Sequence, residues 1–351
     1  MMRNFLTCMP KIHPFYMSAS KPFIGITLGD YNGIGPEVIL KALGSQRILK
    51  WCTPVIYGSQ QVIKFYRKQL ELQDWSIKSI ASMEEATEGH TSLITCWDDA
   101  NTIVEPGKVT SEAGKAAFAC LDRAAQDLDK GLLAALVTAP INKHNIQSED
   151  FKFPGHTEYL TERFEAKNAL MMMVSEGFRM GVATGHLPLQ DVSKALTKEL
   201  IKNKIDVFLQ SLQDDFAIEK PKLAVLGLNP HAGEAGLLGQ EELEIIQPVI
   251  EEYRKKGILV FGPYPADGFF GKAQFKEFDG VLGMYHDQGL IPFKYIAFET
   301  GVNFTAGLPI IRTSPDHGTA YDIAGKNEAD PSSFLHAFFL AIDLVKNRMN
   351  V

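Results

Sequence analysis

Three histidines occupy equivalent places in this chain. His186 follows the apolar run ending Val-Ala-Thr-Gly185, His231 follows Leu-Gly-Leu-Asn-Pro230, and His286 follows Val-Leu-Gly-Met-Tyr285. Each therefore comes at the C-terminal end of a predicted strand, the edge at which open α/β sheets hold ligands. One such histidine alone reads as a hydrogen-bonded structural residue. Three in the same context read as a catalytic metal site with an open position, most simply for zinc, with cobalt or magnesium as alternatives. No HExxH-type spacing links them, so only the fold can bring them together.

A second set of residues suits an anion. Lys294 and Arg312 both interrupt apolar runs, where a cation without a partner is costly. Arginine offers a planar fork that matches phosphate oxygens and lysine a point charge. His156, Thr157 and Asn303 add neutral donors. The competing reading pairs Lys294 and Arg312 with Asp287 or Asp316. Tyr285 to Pro331 concentrates two histidines, two lysines, an arginine and several amides and hydroxyls among short apolar runs, as a binding loop system would.

These residues need a scaffold, and its pattern alternates. Phe23–Leu28 reads as a strand, Gly29–Glu37 as a glycine-rich turn and the residues from Pro36 as a helix. That turn lacks the third glycine of a dinucleotide fingerprint and reads as structural or substrate-facing. Strands follow at 54–58 and 92–96 and helices at 60–72 and 111–130, the latter with Ala113, Ala116, Ala117, Cys120, Leu121, Ala124 and Leu128 on one face. Leu132–Thr138 is apolar throughout, as in a strand covered on both faces. Polar loops are expected around 140–144 and 153–158. Strands at 169–174 and 179–183, a long helix over 189–212, a strand at 222–228 and a helix over 240–256 complete the alternation, which predicts a largely parallel sheet. Met171, Met172 and Met173 read as core filling, with alternate side chains on opposite faces.

Composition excludes several classes. The 351 residues exceed a typical single core and suggest two domains. A net charge of −7 without a basic run argues against nucleic acid as the main partner. Cys8, Cys52, Cys96 and Cys120 form no CxxC pair, so neither a zinc finger nor a disulfide framework is indicated, and the cytoplasm is the simplest compartment. No segment reaches the apolar length of a membrane span. Residues 1–20, interrupted by Pro10 and Pro14, read as a poorly ordered extension rather than a signal.

From about Phe23 onward the chain resembles the 4-hydroxythreonine-4-phosphate dehydrogenases. The resemblance lies in GIGPE at 33–37, VTAPINK at 137–143, PGHTEYL at 154–160, GHLPL at 185–189, GLNPHAGEAGLLGQEE at 227–242, GPYPADGFF at 262–270 and the stretch 285–331. It implies a two-domain α/β fold like that of isocitrate and isopropylmalate dehydrogenases, with mostly parallel sheets and the active site in the interdomain cleft. The expected first, cofactor-side domain comprises 21–140 plus 290–351. The second, 141–289, would carry the metal ligands and the dimer interface.

Carried over residue by residue, the resemblance implies metal ligands at His186, His231 and His286, substrate contacts at His156, Thr157, Lys294, Asn303 and Arg312, and acidic groups beside the site at Asp267 and Asp287. It implies a homodimer that shares the metal site, and pyridoxine 5'-phosphate biosynthesis as the pathway. His317, Gly318, Ala320 and Asp322 resemble the adenosine-binding loop of the isocitrate and isopropylmalate enzymes, so NAD or NADP could bind without a Rossmann fingerprint. The implied chemistry is oxidation of 4-phosphooxy-L-threonine followed by decarboxylation, with Lys294, Asp267 and Asp287 as proton-relay candidates. Three departures stand out: Leu28-Gly-Asp30 for Pro-Gly-Glu, Gly185 where threonine is common, and Glu299-Thr300 for Gly-Arg. The last bears on cofactor and substrate choice. A dehydrogenase of threonate or erythronate 4-phosphate and a metal-dependent hydrolase are the alternatives.

Overall fold

The computed structural model describes residues 21–350; the extension expected over 1–20 lies outside them. Two compact units divide the chain, 21–165 with 309–346, and 166–308 with the residues from 347. The limits thus fall elsewhere than 140 and 290. Residues 141–165 stay with the first unit because Phe151 and Tyr159 pack on Phe118, with ring centroids 5.5 and 5.8 Å away. Residues 302–306 stay with the second because they pair along Leu170–Val174.

In chain order the first unit opens with β1 (Phe23–Thr27), α1 (Gly35–Gly44), β2 (Thr53–Gly58) and α2 (Gln60–Gln69). It continues with β3 (Lys78–Ile80), β4 (Ser92–Thr95), α3 (Ser111–Asp129), β5 (Ala135–Thr138) and α4 (His156–Arg163). The second unit holds β6 (Leu170–Ser175), β7 (Phe178–Val182), α5 (Leu189–Ala195), α6 (Lys198–Asp214) and β8 (Leu223–Leu226). Then come α7 (Gln247–Lys255), β9 (Val260–Tyr264), α8 (Ala266–Gly271), β10 (Gly280–Gly283), α9 (His286–Ala297) and β11 (Val302–Ala306). The chain returns to the first unit with β12 (Arg312–Pro315) and α10 (Ser332–Asn350).

The first unit's strands run β3-β4-β2-β1-β5-β12, every pairing parallel. Hydroxyl caps start the helices between them: Ser59 Oγ accepts from Val62 N and Thr110 Oγ1 from Ala113 N, each satisfying an otherwise orphaned donor. The small-residue face of α3 permits a close approach, since a Cβ on Gly114 would collide with the Asn145 carbonyl. The second unit's strands run β11-β6-β7-β10-β8-β9, antiparallel at β11·β6 and β6·β7 and parallel from β7 onward.

Two helices differ from expectation. The single helix over 189–212 is α5 and α6, because Thr197 turns extended and its hydroxyl accepts from Leu200 N, restarting the helix. The helix over 240–256 opens as a π turn at Glu242–Ile246 before α7. The 153–158 loop is also shorter than expected, since α4 begins at His156. No helix among the described residues is long and apolar enough to cross a membrane.

A cluster of Met173, Phe178, Met180, Phe269, Phe275 and Phe293 anchors α9 on the second unit's strands, with Met171 packed against it and Met172 outside it. Phe293 is fully buried and its ring lies 5.3 Å from that of Phe178. Phe293→Ala should lower unfolding stability by about 3–5 kcal/mol, read as a shifted urea midpoint of the second unit's transition.

Candidate active site

In the second unit β7, β10 and β8 lie side by side and parallel, so His186, His286 and His231 all leave the same edge. That edge is stitched by hydrogen bonds. Ala183 N donates to Gly283 O, and Thr184 donates from its backbone N and from Oγ1 (2.7 Å) to Met284 O. Gln288 takes a bond from Met284 N and donates to Gly227 O, both at 2.6 Å, tying the end of β10 to the end of β8. Glu242, 2% exposed, accepts from Leu228 N and Asn229 N at 2.7 Å, fixing the turn before His231. Sequence reasoning assigned Gln288 and Glu242 no role, because their partners are backbone atoms on other segments.

The histidines are not gathered equally. His186 and His286 have ring centroids 5.8 Å apart and line a pocket of about 300 Å³ with Leu187, Tyr285 and Asp287. The Asp287 carboxylate holds His286 Nδ1 at 2.7 Å. Carboxylate support of this kind orients a ligating imidazole and raises its basicity. His231 stands apart: its side chain is 67% exposed and its nearest acid is Glu234 at 4.0 Å. It opens a run from His231 to Ala235 with positive φ throughout. Among the described residues no group of three or more His, Cys, Asp or Glu is arranged to hold a metal. The donor set thus fits a metal in chemistry and in sheet position, and two of its three members meet.

Asp267 is exposed in the first turn of α8. Lys294 is half-buried two turns beyond His286 on α9, about 12 Å along the axis. Asn303 sits on β11 with Oδ1 buried and without a hydrogen-bond partner.

The anion residues of the first unit form a tighter group. Arg312 opens β12 at 3% exposure beside β5, whose last residue, Thr138, accepts from its Nε at 3.0 Å and Nη2 at 2.7 Å. Burial pushes the guanidinium pKa down to about 10 against the charge of Glu158, so a further anion would be welcome there. The pairing with Asp316 weighed from sequence is not among its bonds. His156, at the start of α4, is half-buried, with Nε2 itself buried and lacking a partner. Desolvation, then Arg312, then Lys143 hold its pKa well below 6.5. Lys143, left unassigned in a polar loop, is thus a nearby cation; its Cε would lie 3.9 Å from a Cβ on Gly155. Thr157 follows His156 in the same first helical turn, where backbone N–H groups favour anions.

A histidine whose folded pKa is depressed stabilises the fold fully above the unfolded value near 6.5. That contribution is lost as pH falls below it, because the unfolded chain binds the proton first. His156→Gln should therefore flatten the fall in stability between about pH 6.5 and 5, measured by urea unfolding across that range.

In the loop from 317, His317 Nε2 is buried without a partner while Nδ1 sits 3.1 Å from Gly318 O. Ala320 takes a φ of 42°, and Gly318 and Asp322 are exposed. The orphaned nitrogen suits a hydrogen bond to a bound dinucleotide.

The family model described as "Pyridoxal phosphate biosynthetic protein PdxA" matches residues 50–341. The chain is 52% identical to the 4-hydroxythreonine-4-phosphate dehydrogenase of Bacteroides thetaiotaomicron, over 95% of this chain and 91% of that one. It is 46% identical to that of Aquifex aeolicus, over 92% and 98%. The crystal structure of the Klebsiella pneumoniae 4-hydroxythreonine-4-phosphate dehydrogenase superposes with a TM-score of 0.81 at 36% identity, covering 93% of this chain and 99% of that one. The fold and these relatives define an α/β oxidoreductase. The chain belongs to the PdxA family of pyridoxal phosphate biosynthetic proteins, as the sequence resemblance implied, and the hydrolase alternative gives way to a dehydrogenase.

Proposed function

We propose that this enzyme oxidises 4-phosphooxy-L-threonine to 2-amino-3-oxo-4-phosphooxybutanoate, which loses carbon dioxide to give 3-amino-2-oxopropyl phosphate. The observation that carries the substrate class is the first-unit group of buried Arg312, the orphaned His156 Nε2 and nearby Lys143. A phosphate dianion would satisfy the guanidinium fork and the orphaned imidazole nitrogen together. Lys294 and Asn303 complete the proposed substrate contacts, and such remote binding energy orients the reacting carbon.

His186, His231 and His286 would hold the divalent metal, zinc foremost, with cobalt or magnesium as alternatives. Bound there, the metal supplies Lewis acidity toward the substrate's hydroxyl and amino groups. His317, Gly318, Ala320 and Asp322 would hold NAD or NADP, which would supply the hydride acceptor. The alcohol proton passes to a relay proposed to comprise Lys294 with Asp267 or Asp287, and Asp287 meanwhile holds the His286 ring. The chain is proposed to work as a cytoplasmic homodimer. Tyr295 and Phe298, 92% and 76% exposed at the end of α9, suit burial against a second copy.

The test is NADH formation at 340 nm with 4-phospho-L-threonine, after chelation and again after zinc, cobalt or magnesium is restored. Metal-dependent NADH is the expected result. Turnover confined to a phosphorylated threonate would move the substrate and keep the mechanism, whereas silence with both would overturn the reading. Full turnover of Lys294→Ala at saturating substrate would remove Lys294 from the relay.

A further inference from the structure

The glycine-rich turn after β1 buries Asp30 completely. Three donors satisfy its carboxylate: Asn32 N reaches Oδ1 at 2.9 Å, while Asn145 Nδ2 at 2.6 Å and Tyr321 Oη at 2.8 Å share Oδ2. Tyr321 lies in the middle of the loop 317–326. Burial, then Asp30 itself, raise the Tyr321 phenol above its ordinary range, so it stays protonated and able to donate.

Neighbouring segments grip the same loop. Ile34 N donates to Thr319 O at 2.9 Å, and a Cβ on Gly33 would strike that carbonyl at 2.7 Å. A Cβ on Gly107 would lie 2.9 Å from Tyr321 O. Farther along, Lys41 Nζ donates to Asn327 O and Ala329 O, and Glu37 accepts from Ala329 N. All of these clamps end on backbone atoms of the loop or of the residues just beyond it. The Tyr321–Asp30 bond instead grips a side chain of the loop itself, at its centre beside His317, Ala320 and Asp322.

We propose that Asp30, acting through Tyr321, is a positioning residue that presets the 317–326 loop for the adenosine end of the dinucleotide. The inference rests on the cofactor reading above. A loop already held in its bound shape loses less conformational freedom on binding and so binds more tightly. Asp30 also grips Asn145, beside the anion residues, so Tyr321→Phe isolates the cofactor limb of the network.

The experiment is titration calorimetry of the full chain with NAD and, separately, with 4-phospho-L-threonine, for the unaltered protein, Tyr321→Phe and Asp30→Asn. Amide hydrogen exchange across 317–326 is measured without dinucleotide. Tyr321→Phe should weaken NAD binding roughly tenfold, leave the phosphothreonine Kd within about twofold, and speed exchange in the loop. Asp30→Asn should weaken NAD binding at least as much. If Tyr321→Phe binds NAD as the unaltered protein does, even with a lowered Tm, the bond is merely structural and the inference is overturned alone. If the unaltered protein binds neither NAD nor NADP, the cofactor reading falls, and this inference with it.

Discussion

Arg312→Lys should reduce kcat/KM for the phosphorylated substrate by about 10²–10³-fold, close to 3–4 kcal/mol of transition-state stabilisation. The guanidinium is fixed by two bonds to Thr138, which leaves the rest of the fork to face an anion. A lysine ammonium keeps the charge but loses the planar pairing, and at this depth its desolvation is poorly compensated. The loss should fall mainly on KM if the phosphate contact is equal in ground and transition states. Steady-state kinetics with added inorganic phosphate as competitor checks it: phosphate should inhibit the unaltered enzyme and Arg312→Lys far more weakly. Equal inhibition of both would remove Arg312 from the phosphate site.

The second large effect concerns His286. Its ring is held by Asp287 and faces His186, so His286→Ala removes a donor and strands a supporting carboxylate. Metal affinity should fall by more than the roughly 10–100-fold that loss of an outer-shell partner produces, with turnover falling alongside. Elemental analysis of dialysed protein gives a readout independent of activity. Asp287→Asn should show the smaller loss. A variant lacking His286 that retained the ion as firmly as the unaltered chain would exclude this histidine as a ligand.

Much of this arrangement was legible in the sequence for physical reasons. The apolar run at 132–138 required a strand covered on both faces, and the small-residue face of α3 required a helix against a sheet. The three histidines could be placed at strand ends because each follows an apolar run. What local pattern could not supply is strand order: that β10 lies between β7 and β8 is a product of long-range pairing. The break at Thr197 was hidden because the apolar period continues across it. Lys143 was unassigned because its significance lies in its charge acting on His156 across the fold, which no spacing expresses. Glu242 and Gln288 escaped because a side chain that braces backbone looks, in sequence, like any surface polar residue.

The placement of β12 beside β5 has a consequence for synthesis. The second unit's strands all lie between residues 170 and 306, so its sheet can complete before the ribosome has finished the chain. The first unit begins earlier but leaves β5 as a bare parallel edge until residues 312–315 emerge. N-terminal domains usually fold first during translation; here the unit begun first closes last. An unprotected edge of buried-type residues invites pairing with other chains, which makes the interval between the emergence of β5 and that of β12 the nascent protein's most aggregation-prone stage.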